Sequence, residues 1–331
     1  MFNKELFVNF ATVAVLSFVF TVIISKIVIP ILRGHKIGQQ IRAEGPSWHR
    51  SKAGTPTMGG ICFIMAMLIA LAVMTVIYAF VGRQGELIPL ALTLGLALAN
   101  GLVGFVDDYC KLIKKQNEGL KAYQKFILQI VVAGAYVFAL SALGYLDTSL
   151  PIPFTSISFE LGWVYYAFAI FLIVGIVNSV NLTDGVDGLA SSVTLVVAGF
   201  FAVVAFNMLS ASLALMSAAL IGGLVGFLIF NAHPAKVFMG DTGSLFLGGA
   251  VTGAAFLINE PLIIVIVGGI YVFETLSVMI QVTSFKLRNK RVFKMTPVHH
   301  HFEKCGWKEE KIVAVFSAVT EILCVVAWFG L

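Results

Sequence analysis

Two adjacent carboxylates, Asp107 and Asp108, follow an apolar run in the stretch GFVDDYCK. If the helix continues past Val106, Asp107 and Lys111 form an i,i+4 pair and Asp108 falls on a neighbouring face. A solvated helix end with a routine ion pair accounts for one aspartate and leaves the other unexplained. Adjacent like charges repel, so one of the two needs a cation, a proton or a basic contact. Metal binding or general-base chemistry follows. A second set, VNSVNLTDGVDGLA, spaces Asn178, Asn181, Asp184 and Asp187 every three residues, which on a helix makes one stripe. Its two Asp-Gly pairs argue that the helix breaks there. Asparagines inside an apolar span need partners, so this stretch reads as a polar pocket at a membrane surface.

Three further stretches carry polar chemistry. In IFNAHPAKVFMGDTGSLFLGG, Asn231 ends one apolar run and Asp241 opens the next. Asp241 or Thr242 is expected to cap the new helix, and the free N–H groups there suit a phosphate or a metal-bound phosphate. KLRNKRVFKMTPVHHHFEKCGWKEEK holds five basic residues from Lys286 to Lys294 ahead of His299, His300 and His301. No spacing of cysteines or of a second histidine pair supports zinc there, so a phosphate-facing basic wall is the expectation. GQQIRAEGPSWHRSKAGTPTMGG mixes Arg42, His49, Arg50 and Lys52 with a Gly/Thr-rich segment whose backbone N–H groups could face an anion. Glu274 and Glu321 lie within apolar runs, where a carboxylate is expensive. No Walker or dinucleotide fingerprint occurs.

The elements that must position these residues are membrane helices. Mean hydropathy is +0.96 and charged residues make up 12 % of the 331, too few to cover a soluble surface of that size. The expected fold is an all-α polytopic membrane protein in a single integral domain, 1–331. Apolar windows near or above the ~20 residues of a bilayer crossing fall at about 7–32, 58–80, 88–106, 124–144, 162–181, 189–208, 211–231, 243–259, 261–284 and 312–330, ten spans. The first is too long for a signal-peptide core and lacks a cleavage site. Nineteen of the 22 Lys and Arg fall in loops on one side of that arrangement. That side is cytoplasmic by the positive-inside rule, which leaves both termini extracytoplasmic. The net charge of +5 is thereby mostly topology, and no nucleic-acid partner is expected. The four scattered cysteines suggest neither a disulfide framework nor zinc.

All five polar stretches face the cytosol in this arrangement. Acids suited to Mg²⁺, bases suited to phosphate and polar positions in apolar spans form the set needed to move a phosphorylated group from a soluble donor to a lipid phosphate. A transporter would instead place its site near the midplane between paired repeats.

The chain resembles the phospho-N-acetylmuramoyl-pentapeptide-transferases. GPSWHRSKAGTPTMGG, FVDDYCK, VNLTDGVDGLA, NAHPAKVFMGDTGS and PVHHHFEKCGW occur in that family's order and spacing. The last motif separates it from relatives that transfer N-acetylhexosamine 1-phosphate to polyprenyl phosphate, the alternative reading. The resemblance implies transfer of phospho-MurNAc-pentapeptide from UDP-MurNAc-pentapeptide to undecaprenyl phosphate with Mg²⁺, giving lipid I and UMP. It also implies a homodimer in the bacterial cytoplasmic membrane and a bent ninth helix. It places the essential residues on Asp107, Asp108 and His299, and the metal on Asp241. Substrate contacts fall on Lys52, Thr57, Lys111, Lys125, Asn178, Asp184, Asp187, Asn231, His300 and His301, with Phe238 stacking on uracil. The chain departs from the family at Asn289, where Gly is common.

Overall fold

The computed structural model describes residues 3–34, 52, 54–114 and 119–331. Arg42, His49 and Arg50 of the basic loop lie outside them. The described chain is mostly helical. In order it forms α1 (Lys4–Gly34), α2 (Gly60–Phe80), α3 (Ile88–Lys114), α4 (Ala122–Ala142), α5 (Val164–Thr183), α6 (Leu189–Met208), α7 (Ala211–Asn231), α8 (Gly240–Leu257), α9 (Ile263–Val267), α10 (Gly269–Arg288), α11 (Val298–Glu303) and α12 (Glu309–Trp328). Among the described residues, eight helices are long and apolar enough to cross a membrane: α1 to α7 and α12. The connector between α4 and α5 forms a two-stranded antiparallel hairpin, β1 (Ser149–Pro151) with β2 (Ser158–Glu160), in the register Leu150 opposite Phe159. That is a small exception to the all-helical expectation.

Helix α8 is the axis of the site and is unlike the others. Every residue from Thr242 to Phe256 is buried, so it meets protein on all sides and has no use for a lipid-facing apolar surface. Its small residues take the place of bulk. A side chain at Gly243 would press on Gly60 of α2, one at Gly248 on Val177 of α5, and one at Gly249 on Ala97 of α3. Small residues let membrane helices approach until their backbones touch. The Gly-Gly and Gly-x-x-x-Gly run of α7 works the same way: Gly222 and Gly226 lie against the carbonyls of Ala14 and Phe18 on α1.

The last apolar stretch before α12 is interrupted at Gly268, so that α9 is five residues long and α10 starts afresh. α10 ends at Asn289, whose φ of 51° and ψ of 31° are left-handed. Glycine adopts that conformation freely, and asparagine is among the few other residues that tolerate it. The departure from the family's usual glycine is therefore conservative in backbone terms.

Candidate active site

The C-terminal end of α3 meets the N-terminal end of α8. Gly104 makes this possible, because a side chain there would overlap the Asp241 carbonyl. One turn beyond Gly104, Asp107 and Asp108 point inward, each only 3 % exposed. α3 does continue past Val106, and Lys111 Nζ lies 2.6 Å from Asp107 Oδ2. The second Asp107 oxygen accepts from the Leu120 N–H at 2.8 Å.

Asp108 does something the sequence does not announce. Its carboxylate accepts from the Asp241 N–H (3.2 Å), the Thr242 N–H (2.9 Å) and the Thr242 hydroxyl (2.7 Å). The cap of α8 is therefore an aspartate from another helix. This corrects two expectations. Neither Asp241 nor Thr242 caps its own helix, and the two first-turn N–H groups are consumed by Asp108 and are not open to a phosphate. The Gly/Thr-rich entry to α2 is corrected in the same way. The Gly59 and Gly60 N–H groups donate to the carbonyls of Phe238 and Met239, and the Phe238 N–H donates to the Pro56 carbonyl. These donors braid two loops together. They hold Thr57 and Phe238, both half-buried, beside the start of α8.

Freed from capping, the Asp241 side chain faces a cluster of donors. Its Oδ2 accepts from Lys111 at 3.0 Å and Lys125 at 2.9 Å, and its Oδ1 from Asn181 at 3.0 Å. Asn181 also donates to Ser244 and accepts from Lys125. Asp107, Asp108 and Asp241 each offer an oxygen within 4.8 Å of the others. These carboxylates, with two ammonium groups between and beside them, could hold a hard cation or oppose phosphate charge.

The stripe on α5 divides at its end. Asn178 is paired with Gln129 of α4 at 2.7 Å and with the Val174 carbonyl, a polar link between helices. Asn181, one turn later, is the amide that reaches Asp241. It shares the three-residue spacing of the stripe, and only the position of α8 distinguishes it from Asn178. The helix stops at Thr183, as the Asp-Gly pairs require. Asp184 caps its end. Burial, then the negative charges of Asp241, Asp108 and Asp187, hold its carboxyl well above the ordinary carboxylate range.

A second polar cluster lies beyond it. Asp187 accepts from Lys52 (2.7 Å), from His233 Nδ1 (3.0 Å) and from the Ala235 N–H. Lys52 also reaches Glu309 at 2.6 Å, and Glu309 accepts from the Asp187 N–H. Asn231 bonds internally, to Ser191 and to the Val237 carbonyl. Glu309 and His233 are not singled out in the sequence, although His233 lies within NAHPAKVFMGDTGS and Glu309 at the end of the histidine-bearing stretch.

The three histidines do not form one basic wall. Successive residues of a helix turn by about 100°, and on α11 they point to different neighbours. His299 is buried and pairs through Nδ1 with Glu274 at 3.0 Å. His300 meets Glu303 at 2.6 Å. His301 accepts from the Lys294 N–H and stacks edge-on against Phe293 and Phe302.

Comparison with known proteins gives this geometry a lineage. Residues 90–259 match the model of glycosyl transferase family 4, and residues 52–64 match the phospho-N-acetylmuramoyl-pentapeptide-transferase signature 1. The chain is 49 % identical over 317 residues to the phospho-N-acetylmuramoyl-pentapeptide-transferase of Clostridium perfringens (strain 13 / Type A), covering 96 % of this chain and 97 % of that one. It is 46 % identical over 310 residues to the enzyme of that name from Bacillus subtilis (strain 168), covering 94 % of each. Similarity of that degree covers nearly the whole chain, and the chain belongs to the phospho-N-acetylmuramoyl-pentapeptide-transferase family.

Proposed function

We propose that the chain transfers phospho-MurNAc-pentapeptide from UDP-MurNAc-pentapeptide to undecaprenyl phosphate, giving lipid I and UMP. The observation that carries this reading is the convergence of three carboxylates and two lysines at one end of the bundle, in a chain with these relatives. Mg²⁺ is the proposed cofactor. An all-oxygen donor set suits it, and Asp241 is the residue to hold it, with 19 % of its side chain exposed against 5 % for Asp107 and 3 % for Asp108. Bound there, the ion would offset charge on the pyrophosphate and on departing UMP.

The chain's own groups have separate tasks. Lys111 and Lys125 bring two positive charges to the same oxygen of Asp241 and would meet phosphate oxygens as the donor binds. Asp107 accepts the proton of the lipid phosphate. The lipid oxygen then bonds to the β-phosphorus, the bond from that phosphorus to the bridging oxygen breaks, and UMP leaves with the electron pair. Asp108 supports the site by holding the start of α8. His299 acts from the far side of the Asp184–Asp187 loop. Lys52, Thr57, Asn178, Asp184, Asp187, Asn231, Phe238, His300 and His301 form the surround proposed to receive the donor.

We further propose ten spans in one integral domain, with α8 and the α9–α10 pair added to the eight apolar helices. Both termini would lie outside the bacterial cytoplasmic membrane, and the working form is a homodimer. The deciding assay is UMP release by purified protein with lipid phosphate and Mg²⁺. Release is expected with UDP-MurNAc-pentapeptide, and release from UDP-GlcNAc instead would overturn the substrate assignment. Trapping a covalent aspartyl-phosphate in a single turnover would replace direct attack with a two-step route.

A further inference from the structure

Glu274 sits in the middle of α10 and is fully buried. A carboxylate there is costly unless its oxygens are bonded. Both are used, and both by the same residue: Oε1 meets His299 Nδ1 at 3.0 Å and Oε2 lies 3.4 Å from the His299 main-chain nitrogen. The turn that carries Glu274 is itself tied down. Ser277 donates to the Glu274 carbonyl, and Thr275 donates to Ser179 on α5, each at 2.7 Å. α5 is the helix that ends at the Asp184–Asp187 loop.

The other ring nitrogen faces that loop. A side chain at Gly185 would overlap His299 Nε2 and its neighbouring carbon. Nε2 is buried, with no hydrogen-bond partner among the described residues. Leaving such an atom unpaired costs about 1–3 kcal/mol, and native structures seldom do so without a reason. A carboxylate on Nδ1 fixes the tautomer and direction of an imidazole and leaves Nε2 for chemistry.

We propose that Glu274 is a positioning residue for His299: it accepts from Nδ1–H and from the main-chain N–H, and so fixes Nε2 against Gly185, where the ring sets the course of the Asp184–Asp187 loop. The turnover part of this proposal rests on the transferase reading above; the ring orientation does not.

The test uses the full-length chain in lipid nanodiscs, labelled with ¹⁵N-histidine, with the His299 signals assigned by their loss in His299→Gln. Wild type is expected to show a protonated Nδ1. A bare Nδ1 with a protonated Nε2 would overturn the proposal. Glu274→Gln keeps one acceptor but sets an amide N–H against the His299 N–H. It is expected to lower kcat roughly 10- to 100-fold, with KM for the donor nearly unchanged. Gly185→Ala, which leaves Glu274 untouched, is expected to lower kcat while Nδ1 remains protonated. Wild-type kcat in Glu274→Gln, or a loss explained wholly by a smaller folded fraction in thermal melting, would reduce Glu274 to a structural staple. Absence of wild-type turnover would sink the transferase reading, and the ¹⁵N spectrum would still decide the orientation.

Discussion

Replacing Asp108 with alanine separates two roles that an adjacent acid pair invites. In the structure Asp108 receives three hydrogen bonds from the first turn of α8 and is 3 % exposed. Asp108→Ala strands two N–H groups and a hydroxyl, with no side chain left to satisfy them. A net hydrogen bond is worth about 1 kcal/mol and a lost cap 0.5–2 kcal/mol, so the overlapping losses come to about 2–4 kcal/mol. At the roughly 2 °C per kcal/mol of a large domain, the midpoint should fall by about 4–8 °C. Thermal melting in detergent without added metal reads this directly. Asp107→Ala is the control, since Asp107 accepts one main-chain N–H and pairs with half-buried Lys111; its midpoint should fall less. An Asp108→Ala protein that melts like wild type, while needing more Mg²⁺ for half-maximal turnover, would refute the capping role and make Asp108 a metal ligand.

Other consequences can be checked alongside. Asp241→Asn should abolish turnover together with its Mg²⁺ dependence, and a variant that keeps metal-stimulated activity would remove Asp241 from the metal site. Gly104→Ala should push α3 off the Asp241 carbonyl and cost at least roughly tenfold in kcat, since a 1 Å displacement can cost 10²-fold; unaltered kinetics would show that this contact does not set the geometry. Asp184, with its folded pKa raised by burial and neighbouring carboxylates, contributes stability that is full below its unfolded value near ~3.9 and is lost as pH rises through the raised value. Asp184→Asn should therefore flatten the fall in melting midpoint over that window, and parallel wild-type and variant curves would contradict the shift. A double-mutant cycle on Lys52 and Glu309, joined at 2.6 Å with 15 % and 9 % side-chain exposure, should give a coupling of about 1–2 kcal/mol in melting; zero coupling would mean the pair does not hold the Asp187 loop.

The sequence alone determined the class of solvent and the places where chemistry could occur. Hydropathy measures whether a segment can leave water, and eight of the ten apolar windows are helices that pass as spans, α1 to α7 and α12. The other two, α8 and the α9–α10 pair, are helical but not among the eight, the second because it is broken at Gly268 into five-residue α9 and a separate α10. α8 is surrounded by protein and needs small residues, and α10 carries Glu274 and a basic end. Motif order also pointed to the family, because residue identity survives in linear text.

Which polar group serves which partner was decided only by the tertiary structure. Asp107 and Asp108 are neighbours in sequence, but a helix turns them to different faces: one meets Lys111, the other caps α8 more than 130 residues away. Asn178 and Asn181 share a stripe, yet only the second lies opposite Asp241. Consecutive histidines look like one basic surface in text, and rotation along α11 sends them to Glu274, Glu303 and Lys294. Hydrogen bonds have directions and ranges of about 3 Å, so their partners are set by how helices close on one another. A linear pattern states that a buried acid must be satisfied; packing decides by what.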